Sequence, residues 1–151
     1  MGRLLSEIFD SQTIKLNIEA KTKELAFAEL IDAIAGLYPE CDRDELFKAI
    51  MEREDKIDSK FANGVAIPHA HYNGIGKMVG AIGISKQGID YGTLDKKPVH
   101  IVFLLVISKQ VNENHLYILN QLLRVAQSEE VVSLKNAKNT EEIHEILSRM
   151  H

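Results

Sequence analysis

The chain lacks most of what would tie it, span a bilayer or attach it to a polyanion. A single cysteine, Cys41, means no internal disulfide forms, and a cytoplasmic home fits that scarcity. No apolar run approaches the roughly 20 residues of a membrane span. The longest, Val99 to Ile107, is interrupted by His100. The opening MGRLLSEIFD carries acids where a secretory leader needs an apolar stretch. No Lys/Arg block and no basic stripe with aromatics marks a nucleic-acid surface; 22 acids against 18 bases leave a net charge of -4. Repeats, low-complexity tracts and linkers are missing as well. What remains reads as one soluble globular domain over residues 1–151, long enough to bury a core without staples.

Apolar periodicity gives the layout. Residues 3–9 suit a short helix, and Thr13 to Ile18 alternates as a strand does. Phe27, Leu30, Ile31, Ile34 and Leu37 form one helical stripe, closed by Gly36 and Pro39. Asp42, with Glu45 three residues on, caps a second helix that buries Leu46, Phe47, Ile50 and Met51 and carries Arg53 in its last turn. Gly64 to Ile67 reads as a strand stopped by Pro68, because proline cannot donate to a ladder. Met78 to Ser85 is a second such segment, and Gly88 to Gly92 a turn. Val99 to Ile107 is apolar on both faces, as a central strand covered on both sides is. Asn112 is the expected cap of a helix bearing Leu116, Leu119, Leu122, Leu123 and Ala126. Asn139 with Glu142 caps the last, which buries Ile143, Ile146 and Leu147. The fold class predicted is α/β: a mixed parallel and antiparallel sheet flanked by helices on both faces.

The stretch GVAIPHAHYNG, residues 64–74, concentrates the chemistry. His69 and His71 lie two apart, so on an extended chain both imidazoles share a face. Three uses are open: local hydrogen bonding, a metal pair of H-x-H type, or a nucleophile. A zinc ion would need a further ligand, with His115, His100 and Cys41 available. His69 stands out because it sits at the end of a buried strand, where open α/β sheets place their sites, and because Pro68 makes its anchor rigid. Glycines 64, 74, 76 and 80 would leave room for a partner. With Asn112 as cap, His115 is the third helical residue, near free amides that favour an anion. Arg53, inside Glu52-Arg53-Glu54, is either part of a solvated charge run or a fork for phosphate. His100, His144 and His151 read as strand start, exposed helix face and terminus, and Cys41 as inert.

Arg53-Glu54 followed by Asn63-Gly64-Val65-Ala66-Ile67-Pro68-His69 resembles the signature of the fructose/mannitol-type enzyme IIA domains of the phosphoenolpyruvate:sugar phosphotransferase system, a family that includes the nitrogen-type IIA regulators. LLSEIFDSQTIKLNIEAKTKELAFAEL, KKPVHIVFLLV and NENHLYILNQLLRVAQ extend the resemblance over nearly the whole chain. It implies a cytoplasmic phosphoryl carrier on a mixed sheet flanked by helices. His69 would accept phosphate from the phosphocarrier HPr or its nitrogen-type counterpart and pass it to a cysteine of an enzyme IIB domain. His115 maps onto the second family histidine and would donate a hydrogen bond to the phosphoryl group, and Arg53 onto the arginine that contacts it. The implied chemistry calls for no cofactor and no metal. It needs a neutral His69 imidazole whose other nitrogen is held, for instance by a backbone carbonyl.

The sequence also departs from the family. Where many members have G-S-T-G-I-G, this chain has Ile57-Asp58-Ser59-Lys60-Phe61-Ala62; Ala70, His71 and Ser108 replace common residues too. Those changes bear on partner choice. A chain with no fused IIB or membrane segment leads to a second expectation, a regulator whose phosphorylation state controls binding to transporters, kinases or other enzymes.

Overall fold

The computed structural model describes residues 5–109 and 114–150. Its elements run α1 (Leu5–Ile8), β1 (Ile14–Lys15), α2 (Lys23–Leu37), α3 (Arg43–Lys56), β2 (Val65–Ala66), β3 (His69–His71), β4 (Val79–Ile89), β5 (Val99–Ile107), α4 (His115–Ala126), α5 (Glu130–Lys135) and α6 (Thr140–Ser148). The sheet is mixed, as expected: β1 is parallel to β4, β4 antiparallel to β5, and β2 and β3 both parallel to β5. The run apolar on both faces is β5, at the centre. Ile101, Phe103 and Leu105 point to a core shared with α1 and α4 to α6, whereas Val102, Leu104 and Val106 point to one shared with α2 and α3. Alternation along one strand thus builds two layers of helices around the sheet.

Caps fix where the helices start. Asp42 accepts from the amides of Asp44 and Glu45, and Asn139 from that of Glu142, as expected. The cap of α4 is Asn114, which accepts from the Tyr117 amide. Asn112 lies outside the described residues, and His115 is the first helical residue rather than the third. Leu116 is exposed, and Ile118, Gln121, Leu122, Val125 and Ala126 make the buried side.

Several boundaries differ from the pattern. Only Ile14 and Lys15 pair as β1, because Ser11–Thr13 turns as a short 3-10 helix capped by Asp10. β4 runs to Ile89 through an irregularity after Ile84, so the expected turn at 88 lies partly within it. Phe47 and Met51 are half-buried, at the edge of the α2–α3 core. His144 is half-buried too, and its Nε2 donates to the Phe9 carbonyl, which pins α6 to the end of α1. Two of the glycines hold no room for a partner, since the protein fills the space itself. A Cβ on Gly74 would lie 2.2 Å from the Tyr72 hydroxyl, and one on Gly80 2.3 Å from the Phe9 ring.

As expected, the strand is interrupted before Pro68: β2 stops at Ala66, and a new segment, β3, begins at His69. Val65 aligns with Ile101 and His69 with Leu105, so the register of β2 carries on unchanged in β3. Pro68 has no N–H to give β5, yet its carbonyl still accepts from the Leu105 amide at 2.9 Å. One ladder bond is lost, and the chain rejoins β5 in register. His69 is therefore the first residue of a new strand segment rather than a loop residue.

Candidate functional site

β2 and β3 form the edge of the sheet, and edge geometry sets the environment of His69. Peptide groups of the even residues face β5: Pro68 accepts from Leu105, and the Tyr72 amide donates to Ile107 at 2.8 Å. Those of the odd residues face outward, where the 59–61 segment covers part of them. Ile67 donates to the Ser59 carbonyl at 3.0 Å, and Phe61 donates to the Val65 carbonyl at 2.8 Å. The Ile67 carbonyl also faces outward, and it is the partner of His69 Nδ1 at 2.9 Å. A carbonyl only accepts, so Nδ1 carries the proton and Nε2 holds the free lone pair. This is the held tautomer that nucleophilic use of His69 calls for.

Burial is the main influence on the His69 ring and pulls its pKa below the ordinary histidine value. The Ile67 hydrogen bond opposes it, the charge of Arg53 adds to it, Glu54 opposes it and His115 adds to it. The neutral form is favoured.

Side chains from three elements meet around this ring. On α3, Ala49, Arg53 and Lys56 recur at helical spacing and face a cleft of about 380 Å³. His69 and His71 enter it from β3, and His115 and Leu116 from α4. The structure thus brings Arg53, His69 and His115 together, although they are distant in sequence. His115 is the first residue of its helix, at the positive end of the dipole. Arg53 makes no ion pair among the described residues. The His71 ring meets that of His115 edge-on, with centroids 5.5 Å apart.

A second cleft, of about 200 Å³, shares Arg53, His69 and Leu119 with the first, and Ile57, Phe61, Ile67 and Leu123 give it a mostly apolar surface beside Glu54, Asp58 and Lys60. Residues 57–61 form one wall. This segment is tied down by polar contacts. Glu54, only 4% exposed, accepts the Ser59 amide at 2.8 Å and pairs with Lys23 at 3.6 Å. The Ser59 hydroxyl shares a 2.8 Å hydrogen bond with Tyr91, whose phenol burial keeps protonated. Lys60 reaches Asp95 and the Lys97 carbonyl, both at 2.6 Å, and Thr93 at 3.0 Å. The Lys60 hydrogen bond, more than any other contact, holds the Asp95 carboxyl well below the usual range.

Sequence reasoning missed Glu54 and the contact of His71 with His115. Glu54 had a signal: Leu46, Ile50 and Glu54 recur at four-residue spacing, which puts the carboxylate on the buried face of α3. The histidine contact had none, since it joins a strand to a distant helix. His100 is structural, with Nδ1 donating to the Ser85 carbonyl at 2.8 Å. Burial raises the Cys41 thiol, which suits an inert side chain. Among the described residues, no group of three or more His, Cys, Asp or Glu side chains is placed to hold a metal ion. Nor is any helix among them long and apolar enough to cross a membrane.

Residues 7–150 match the family model of the phosphoenolpyruvate-dependent sugar phosphotransferase system, EIIA 2. The fructose-specific EIIABC component of Bacillus subtilis is 33% identical over 146 residues, which are 96% of this chain and 23% of that protein, so the chain spans under a quarter of this relative. The fructose-specific EIIA component of Haloferax volcanii is 30% identical over 147 residues, covering 97% of this chain and 96% of that one. Among solved structures, the nitrogen regulatory protein IIA-Ntr from Neisseria meningitidis superposes with a TM-score of 0.84 at 25% identity, over 95% of this chain and 98% of its own.

Proposed function

Because the chain belongs to the EIIA 2 family of the phosphoenolpyruvate-dependent sugar phosphotransferase system, we propose that it is a phosphoryl carrier whose acceptor is His69. The donor is phospho-HPr or its nitrogen-type counterpart, and the onward acceptor is an enzyme IIB cysteine. The whole chain, 1–151, is one such IIA domain, and its place of action is the cytoplasm. The observation that carries this reading is the His69 Nδ1 hydrogen bond to the Ile67 carbonyl, which leaves Nε2 as the nucleophilic nitrogen beside Arg53 and His115.

Each step draws on a group in the cleft. The Nε2 lone pair attacks phosphorus as the bond from phosphorus to the donor's histidine nitrogen breaks, and the donor leaves as a neutral imidazole. Nδ1 keeps its proton, so the phosphorylated ring is cationic, and the Ile67 carbonyl accepts a stronger hydrogen bond. The Arg53 guanidinium contacts the phosphoryl oxygens and offsets their charge. His115 donates a hydrogen bond to the same oxygens. In the second half-reaction the thiolate of IIB attacks, the N–P bond breaks, and His69 returns to its neutral tautomer.

Incubation with phosphoenolpyruvate, enzyme I and HPr should give an acid-labile phosphoprotein, and His69→Ala none. Labelling that survives the substitution would move the acceptor elsewhere. A second reading, a nitrogen-type regulator, is favoured by the likeness to IIA-Ntr. In it the phosphoryl group is a signal that changes which proteins bind. Mixing the phosphorylated chain with IIB separates the two: transfer of label supports carriage, whereas partners that bind by phosphorylation state without transfer support regulation.

A further inference from the structure

One imidazole in the cleft has no part in that scheme. His71 leaves β3 on the side of His69 and aligns with Ile107 where His69 aligns with Leu105. Its ring meets His115 edge-on at 83° and 5.5 Å, so it bears on the first residue of α4. Its nitrogens make no hydrogen bond among the described residues. A side chain placed this way restricts the directions in which the His115 ring can turn.

The charges around it are lopsided. Arg53, Lys56 and Glu52 face the cleft from α3, His69 from β3 and His115 from α4. Lys109, just past β5, acts on His71 as well. Glu52 is thus the single carboxylate among these groups, against three fixed cations. Burial first, then Lys109, His115 and His69, hold His71 below the ordinary histidine value in the unmodified protein. A phosphoryl group on His69 would bring about two negative charges, partly offset by the cationic ring that carries it, and so weaken the positive field at His71.

We propose, on the footing that His69 carries the phosphoryl group, that His71 is a positioning residue for transfer: it braces the His115 ring toward the phosphoryl site, takes up a proton from water when His69 is phosphorylated, and releases it when the phosphoryl group leaves. The phosphorylated form then holds one more positive charge at the acid end of the physiological range. Its lifetime acquires a pH dependence that a protein without His71 does not have.

Two measurements on the full chain test this, with His71→Gln and His71→Ala beside the wild type. In the unmodified proteins, the NMR chemical shifts of the His115 ring protons should change in both variants relative to wild type, because the His71 ring meets that ring edge-on. After phosphorylation by the HPr relay, hydrolysis is followed between about pH 6 and pH 8. The ratio of wild-type to His71→Gln lifetime should rise about threefold or more toward the acid end, because phosphorylation of His69 raises the proton affinity of His71. Taking the ratio cancels the acid lability common to every phosphohistidine. Identical His115 ring chemical shifts in all three proteins, or one lifetime ratio at every pH, overturn the proposal while leaving the carrier reading intact. Absence of label on wild-type His69 overturns both.

Discussion

The Nδ1 atom of His69 lies 2.9 Å from the carbonyl oxygen of Ile67, two residues back on the same edge strand. Nδ1 is thereby committed as a donor, which leaves Nε2 as the one ring nitrogen that could attack phosphorus in the proposed transfer. The phosphorylated protein should carry its phosphate on Nε2. Phosphorus–nitrogen couplings in protein labelled with 15N at histidine distinguish the two isomers, and a signal from the Nδ1 isomer would contradict the geometry.

Burial and the charge of Arg53 keep His69 neutral to a lower pH than a free histidine. The acid limb of the phosphorylation rate should therefore fall below about pH 6.5, the unperturbed value. Stability follows the same linkage. Below that pH the unfolded chain binds a proton at this site before the native chain does, so His69 destabilises the fold as pH falls from the unfolded value through the native one. Replacing Arg53 by Gln should move both the ring titration and the rate profile toward the ordinary value. An NMR titration that is the same in wild type and Arg53→Gln would rule out this electrostatic link.

Glu54 holds the 57–62 segment through the Ser59 amide and meets Lys23 at its other side. Glu54→Ala leaves both partners without their acceptor in a nearly closed site. A loss of about 2 kcal/mol in unfolding free energy is expected. Amide exchange at Ser59 should speed up in the same variant, whereas exchange in β5 should change only as much as global stability does. Chemical denaturation and hydrogen exchange read the two effects separately.

Gly80 sits where β4 passes the Phe9 ring and the central strand. An added Cβ would lie 2.3 Å from that ring and 2.8 Å from the Leu104 carbonyl oxygen. The backbone oxygen cannot swing aside as a side-chain tip can. Gly80→Ala should cost about 2 kcal/mol by overpacking, seen as a lower urea midpoint at unchanged slope. A midpoint equal to wild type would mean that the strands yield there.

What could be read from the sequence followed from local rules. Val99 to Ile107 announces a central strand because both faces are apolar, and Asp42 and Asn139 announce their helices because the cap and the amides it serves are neighbours. The cap of α4 was misplaced because Asn112 and Asn114 are chemically the same and two residues apart; periodicity cannot choose between them. Pro68 marks the break between β2 and β3, as its missing N–H implies, but its carbonyl still pairs, so the chain resumes in register at His69, which the proline rule does not foresee. At the site, the family signature pointed to Arg53, His69 and His115, and these converge on one cleft. Glu54 was concealed in a run of charges that looked solvated, though its spacing from Leu46 and Ile50 marked it as buried. The contact of His71 with His115 depends on how a strand and a helix are placed against each other, which no local spacing encodes.

The tautomer of His69 is selected within three consecutive residues, whereas the wall beside it is fastened by Glu54, Tyr91 and the Lys60 clamp. The two are nonetheless joined at Ile67, whose carbonyl holds the ring while its amide donates to the Ser59 carbonyl of the wall. Glu54, which fastens that wall, also acts on the charge of His69, and burial is the main influence on the ring. A descendant of this chain that exchanges Ile57 to Ala62 for a segment of another shape therefore changes the surroundings of the imidazole as well, and the two are bound to vary together.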